Sequence, residues 1–148
     1  MIKLHKPDLT KFPPRSVRVR LGGYAHLPRL LDKARAHLRG KAGEYHYNCP
    51  LDVHFFTFTG INHKKALAAV KAAKSDTEFL AWVNKNTRRL PSEIAAFSAW
   101  LEQNGPGGKD GHEWISGRIK MLAPQRTDVR SFADLLDLDD YVSFGGKG

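Results

Sequence analysis

The chain has 148 residues, 24 Lys+Arg against 15 Asp+Glu, and a formal net charge of +9 at neutral pH. That length fits one domain able to bury a core without staples, and the one cysteine excludes an internal disulfide framework. No apolar run approaches the ~20 residues that span a bilayer. The basic N-terminus has no apolar stretch behind it, so neither a membrane partner nor a secretory signal is expected, and the expected compartment is the cytoplasm.

The charge is unevenly placed. Residues 1–41 hold eleven Lys/Arg against only Asp8 and Asp32, whereas residues 42–148 balance thirteen against thirteen. Near the other end, Asp128, Asp134, Asp137, Asp139 and Asp140 face a single Arg130. A basic start and an acidic end either dock on each other or leave the basic part for an anionic ligand.

Residues 1–23 read as an extended basic arm. Pro13-Pro14 blocks a helix, and Val17, Val19 and Leu21 alternate with polar residues as in a short half-buried strand. Gly22-Gly23 closes the arm and, lying before a helix, could offer backbone N–H groups to an anion. The spacing then predicts a helix from Leu27-Pro28 to about Leu38, stopped by Gly40. Leu27, Leu30, Leu31, Ala34 and Leu38 should face the core, with Arg29, Asp32, Lys33 and Arg35 on a solvated face. Val53–Thr59 has the aromatic and β-branched content of a strand, but Pro50 as an early helical residue and Gly60 as a stop favour a short buried helix, so both readings stand with the helix preferred.

Asn62 caps a helix through about Ala73, with Leu67 and Val70 inward. Ser75-Asp76-Thr77-Glu78 opens the next, burying Phe79, Trp82 and Val83. Pro91-Ser92 opens another over Ile94, Phe97 and Leu101, and Gly107–Gly111 reads as a flexible loop or lid. A helix follows from about His112 to Leu122, placing Trp114, Ile115, Ile119 and Leu122 on one face. Ser131–Asp134 starts a last helix, and Gly145-Gly146 frees the terminus. The expected fold is all-α: a compact single domain of six or seven short helices (arm 1–23, helical core 24–142, flexible tail 143–148), with the three tryptophans in the core.

Chemistry concentrates in Gly43-Glu44-Tyr45-His46-Tyr47-Asn48-Cys49-Pro50-Leu51-Asp52. With Pro50 as the first helical residue Cys49 is the N-cap, and with Asn48 as the cap it lies in the first turn; either way free backbone N–H groups and the helix dipole favour a thiolate. His46 is near enough in sequence to serve as a base. Asp52 can orient a neighbour, or simply cap the helix. Tyr45 and Tyr47 point to opposite faces of an extended segment, so one can line a site while the other packs. The set His46, Cys49, Asp52, His54 lacks the spacing of a zinc site, and no metal or cofactor is expected. Phosphate loops, dinucleotide fingerprints and nucleophile elbows are absent from the sequence. His26, between Gly22-Gly23 and the basic helix, is a further candidate.

These residues bear a resemblance. The runs Asp8–Thr10, Pro13–Ser16, Arg18–Tyr24 and Leu27-Pro28-Arg29, the ten residues 43–52 and the tail Leu136–Lys147 resemble a bacterial family of small single-domain proteins of unknown function. The likeness spans nearly the whole chain and implies a stand-alone domain, without an activity to carry over. The particular polar residues of arm, central run and tail suggest that these three segments meet around one polar pocket.

The function expected is a small enzyme, or a ligand-binding protein, for a small anionic molecule, a carboxylate or phosphate ester. Arg15, Arg18, Arg29, Arg35 and Lys33 would hold the anion, balanced by Asp32. His46 would act as general acid/base, Asp52 or Asp32 would orient it, and Tyr45 or Tyr24 would donate to an oxyanion. Cys49 is the possible nucleophile, and His26 and Tyr141 complete the binding set. The alternatives are a non-enzymatic interaction module, or a nucleic-acid binder using the basic N-terminal quarter.

Overall fold

The computed structural model describes residues 2–148; Met1, the first residue of the expected arm, lies outside the described residues. Seven helices follow a two-stranded hairpin: β1 (Arg20–Leu21), β2 (Tyr24–Ala25), α1 (Leu27–Leu38), α2 (Pro50–Thr59), α3 (His63–Ala72), α4 (Asp76–Asn86), α5 (Pro91–Gln103), α6 (Lys109–Leu122) and α7 (Phe132–Ser143). The architecture is mainly α, as the sequence predicts. No described helix is long and apolar enough to cross a membrane.

The arm departs from expectation at Gly22-Gly23. Both glycines have positive φ, 60° and 84°, the conformation a two-residue hairpin turn needs. They pair Arg20 with Ala25 and Leu21 with Tyr24 in antiparallel register, so they turn the chain rather than form an anion nest. Ser98 on α5 fixes the hairpin: its Oγ accepts from the Ala25 N–H at 2.9 Å and donates to the Gly23 carbonyl at 2.8 Å. Val17 is fully buried while Val19 is exposed.

Helix α1 is the axis of the molecule. Pro28 sits in its first turn, where a missing N–H costs nothing, and nine of its twelve residues are buried. Arg29, Asp32 and Lys33 are among them, which corrects the expected solvated face, and Leu38, expected in the core, is 40% exposed. A charged face can be buried only if each charge is paired. Here each is. Arg29 meets Asp140 of α7, Asp32 meets Arg15 of the arm, and Lys33 meets Asp52 of α2. Arg35, half-buried, meets Asp76 of α4.

Around α1 lies the larger apolar cluster, in which Tyr24, Leu27, Leu30, Leu31, Phe55, Phe79 and Val83 are fully buried. A second cluster of Ile115, Ala123, Val129, Leu135 and Leu138 joins α6 to α7. Helix α6 begins at Lys109, not His112, so the expected loop or lid at 107–111 is mostly the helix's first turn. The tryptophans are not core residues as a group. Trp82 is half-buried, but Trp100 and Trp114 are 48% and 56% exposed.

Gly145-Gly146 does more than release the terminus. The Gly145 N–H donates to the Val142 carbonyl and the Gly146 N–H to the Tyr141 carbonyl, the paired bonds that close a helix through a glycine of positive φ, here 101° at Gly145. A Cβ on Gly146 would lie 2.4 Å from the Tyr141 ring. The two glycines are therefore the stop signal of α7.

Candidate functional site

A cavity of about 750 Å³ lies where α1 and the run entering α2 face α6 and α7, within the range of small-molecule sites. One wall is apolar and comes from α6 and α7, through Trp114, Phe132, Leu135 and Leu136. The other is polar and comes from α1, its N-cap and the run entering α2, through His26, Arg29, Lys33, Tyr45, His46 and Cys49.

The polar wall is organised by Asp52. Pro50 opens α2, so Asp52 is its third residue, and Oδ2 accepts from the Asn48 N–H at 2.8 Å and the Cys49 N–H at 3.4 Å. This is the helix-capping role expected from the sequence. The same carboxylate, fully buried, also receives Nε2 of His26 on Oδ1 at 2.6 Å and Nζ of Lys33 on Oδ2 at 2.9 Å. Burial alone would raise the Asp52 carboxyl, but the His26 hydrogen bond and the Lys33 ammonium outweigh it and hold the group below the ordinary carboxylate range.

Lys33 is 3% exposed, and its three N–H donors are all occupied: besides Asp52, it donates to the His46 carbonyl at 2.9 Å and to Sγ of Cys49 at 3.0 Å. One ammonium thus ties α1 to both ends of the run 46–52. A ring nitrogen of His26, Sγ of Cys49 and a carboxylate oxygen of Asp52 lie within 4.8 Å of one another, a grouping a metal ion could use. The Lys33 ammonium is already the cation bonded to two of these three groups.

His26 is the least ordinary residue of the site. As N-cap of α1 it holds a left-handed backbone, φ 72°, uncommon for a residue with a side chain. It is fully buried, and its Nδ1 has no hydrogen-bond partner among the described residues. Burial lowers its pKa, the Asp52 hydrogen bond partly offsets that, and Lys33 and Arg29 push it lower still. The imidazole is therefore neutral at pH 7. Asp52 can only accept, so the ring proton sits on Nε2 and the lone pair on Nδ1. Among the described residues, Asn48, next to Cys49, is the other non-glycine residue at positive φ, 62°. Unusual backbone of this kind gathers at functional sites.

Tyr45 and Tyr47 divide as their alternation suggests. Tyr45 faces the cavity, lies under the Arg29 guanidinium (5.5 Å to the ring centre), and donates its hydroxyl to Asp140 at 2.7 Å. Burial and that bond to Asp140 raise its pKa, so it remains a phenol. Tyr47 packs on Phe56 and donates to the His63 carbonyl.

The arm, the central run and the tail do meet. Arg18 pairs with Asp134 and Asp137, Ser16 donates to Asp137, and Tyr45 and Arg29 share Asp140. They do not all meet at the cavity. Arg15, Asp32 and Arg35 join Asp76 on the flank of α1 that lines a separate, smaller cleft. Arg18 lies outside the cavity with both its acids. Tyr24 is buried in the larger core against Phe55, and Tyr141 is 60% exposed beside the terminal glycines. His46 is exposed on the cavity's edge, its carbonyl serving Lys33.

Sequence reasoning did not find the apolar wall, nor the links His26–Asp52 and Lys33–Cys49. The signal for the wall lay in aromatic residues, Trp114 and Phe132, on two adjacent helices. The links join residues 26 and 16 positions apart, and no local pattern encodes them.

The family model for a domain of unknown function, DUF5069, matches residues 11–142. The chain belongs to that family. The match covers residues 11–23 of the arm, all seven helices except the final residue of α7, and the six side chains named above for the cavity's polar wall. No curated protein matches the chain.

Proposed function

We propose that this DUF5069 protein is a small enzyme or ligand-binding protein whose cavity takes a small organic molecule. The apolar wall of Trp114, Phe132 and Leu136 would hold the body, and the polar head would meet Cys49, Tyr45 and His46. The observation that carries the reading is the buried Asp52–His26–Lys33 cluster bonded to Cys49 on the cavity's polar wall. Buried charge of this kind opposes stability unless fully paired, and here it surrounds the one thiol of the chain. The other arginines of the expected anion site are matched by carboxylates, as are Arg29 and Lys33. That favours a head of low net charge, such as a carboxylate, over a phosphate ester. It also removes much of the support for a nucleic-acid binder, because the arginines of the basic arm have internal partners.

A melting-shift screen of small aromatic and aliphatic acids, alcohols and amines tests the reading, since a bound ligand raises stability by mass action. Compounds that raise the Tm of the wild type and not of Leu136→Arg support it. Equal shifts in both proteins, or none in either, count against it.

A further inference from the structure

Away from the cavity, positive charge gathers on α3 and the end of α4. Residues 61–90 hold seven Lys/Arg against Asp76 and Glu78, a net +5. Both acids are engaged: Asp76 pairs with Arg15 and Arg35, and Glu78 accepts from the Lys74 N–H. Arg89 pairs with Glu93 of α5. The other six, Lys64, Lys65, Lys71, Lys74, Lys85 and Arg88, are exposed and form no ion pair among the described residues. On α3 the helical period lines them up. Ala66 and Val70 are buried, while Lys64, Lys65, Ala68, Lys71 and Ala72 are exposed, so the outer face carries only lysine and alanine. Lys85, Arg88 and Arg89 border a groove of about 640 Å³ that reaches Gly60, just before α3.

We propose that this surface binds the phosphodiester backbone of a nucleic-acid duplex without reading its sequence. Lysine meets phosphate as a point charge, and the stretch from Lys64 to Lys74 spans about 15 Å, the rise of about four base pairs. A membrane surface fits less well, because an interfacial helix needs bulky apolar side chains. From His54 through Arg89 no large apolar side chain is exposed. A single strand needs aromatic platforms for its bases. Here Phe79 is buried, Trp82 is half-buried against it, and Phe58 lies under Arg89. The cores of protein interfaces are poor in lysine.

None of these residues lines the cavity, so the duplex surface is independent of the small-molecule reading. It also differs from a basic arm acting on nucleic acid, since Arg15, Arg18 and Arg20 are matched by carboxylates. Each phosphate neutralised by a lysine releases counterions, and log affinity falls with log salt by about 0.9 per contact. Four lysines in contact therefore cost about a hundredfold in affinity between about 50 and 200 mM salt.

The experiment titrates the full chain into labelled mixed-sequence DNA and RNA duplexes of about 20 base pairs, read by fluorescence anisotropy from about 50 to 200 mM salt. The wild type is compared with Lys64→Gln, Lys65→Gln, Lys71→Gln and Lys74→Gln combined, all at exposed positions. A control combines Lys109→Gln, Lys120→Gln, Arg130→Gln and Lys147→Gln, which removes the same charge from exposed positions elsewhere. The α3 variant should bind at least about tenfold more weakly with a salt slope flatter by about three, and the control within about threefold of wild type. Binding to both duplexes, or to one, supports the proposal and names the source of the backbone. Equal losses in the two variants overturn it, as does a wild type that binds neither duplex at about 50 mM salt. Tighter binding to the single strands overturns it too, and so does capture by vesicles of phosphatidylserine and phosphatidylcholine with no binding to duplex. Lysine acetylation mapped by mass spectrometry in the wild type needs no variant to fold. Duplex should protect Lys64, Lys65 and Lys71 but not Lys109 or Lys120, and the reverse pattern or uniform protection overturns the proposal.

Discussion

On one flank of α1, Asp32 and Arg35 meet Arg15 and Asp76 in a chain of alternating charges, Asp32–Arg15–Asp76–Arg35. On the other, Lys33 meets Asp52 beside His26 and Cys49. The first arrangement is closed: every carboxylate has a guanidinium, and Arg15 and Asp76 are partly open to solvent. The second is more deeply buried and leaves an imidazole lone pair without a partner. Pairing charges that remain partly solvated fastens the arm and α4 to α1 at low cost. Burying an ion pair, a histidine and a thiol together is expensive; the cap of α2 and the ties through Lys33 account for Asp52 and Lys33, but not for the unpartnered Nδ1 of His26. On the proposed reading, the difference separates a clamp from a site.

Substitutions on the two flanks should therefore behave differently. The largest effect is expected at Asp52→Ala. It strands Lys33 and His26 in the interior and uncaps α2, so urea unfolding should report a loss of about 3–5 kcal/mol. The pH dependence of stability comes next. Burial lowers the His26 pKa in the folded protein, so the unfolded chain binds more protons once pH falls below about 6.5. The contribution is present above that value and is lost as pH falls toward the folded pKa. Asp52, lowered below its ordinary value, adds a further loss at lower pH. His26→Asn should flatten the upper part of this acid-side decline, seen as a smaller drop in Tm between pH 6.5 and 5.

On the clamp side, Asp76→Ala frees Arg15 and Arg35 at a half-exposed position. Its expected cost is about 1 kcal/mol, and it should leave Cys49 alkylation unchanged. The smallest effect on stability belongs to Trp114→Ala, within about 0.5 kcal/mol because the ring is mostly exposed. If Trp114 forms part of the ligand wall, the same change should abolish melting shifts seen with compounds that bind the wild type.

Much of the fold was legible in the sequence. Pro28, Pro50 and Pro91 start helices, Asn62, Ser75 and Ser131 cap them, and the order of seven helices follows. The same local rules located Cys49 and the capping role of Asp52. What stayed hidden depends on the packing of distant elements. Lys33 and Arg29 have the spacing of a solvated face, and only the arrival of α2 and α7 buries them. The helical period of Trp100 and Trp114 suggested core, but period alone does not say which helix face another element covers. His46 stood out because it is close to Cys49 along the chain, whereas His26 approaches from the start of another helix.

The most direct test of the two-flank account is the Cys49 alkylation rate at pH 6.5 in Lys33→Met set beside Asp32→Asn, both shown to be folded by their melting curves. The two substitutions remove opposite charges from neighbouring buried positions of the same helix. At least about a tenfold change is expected for Lys33→Met, and a rate within about twofold of wild type for Asp32→Asn, whose partners line the separate cleft rather than the cavity. Equal changes in the two variants, or an unchanged rate in Lys33→Met, would contradict it.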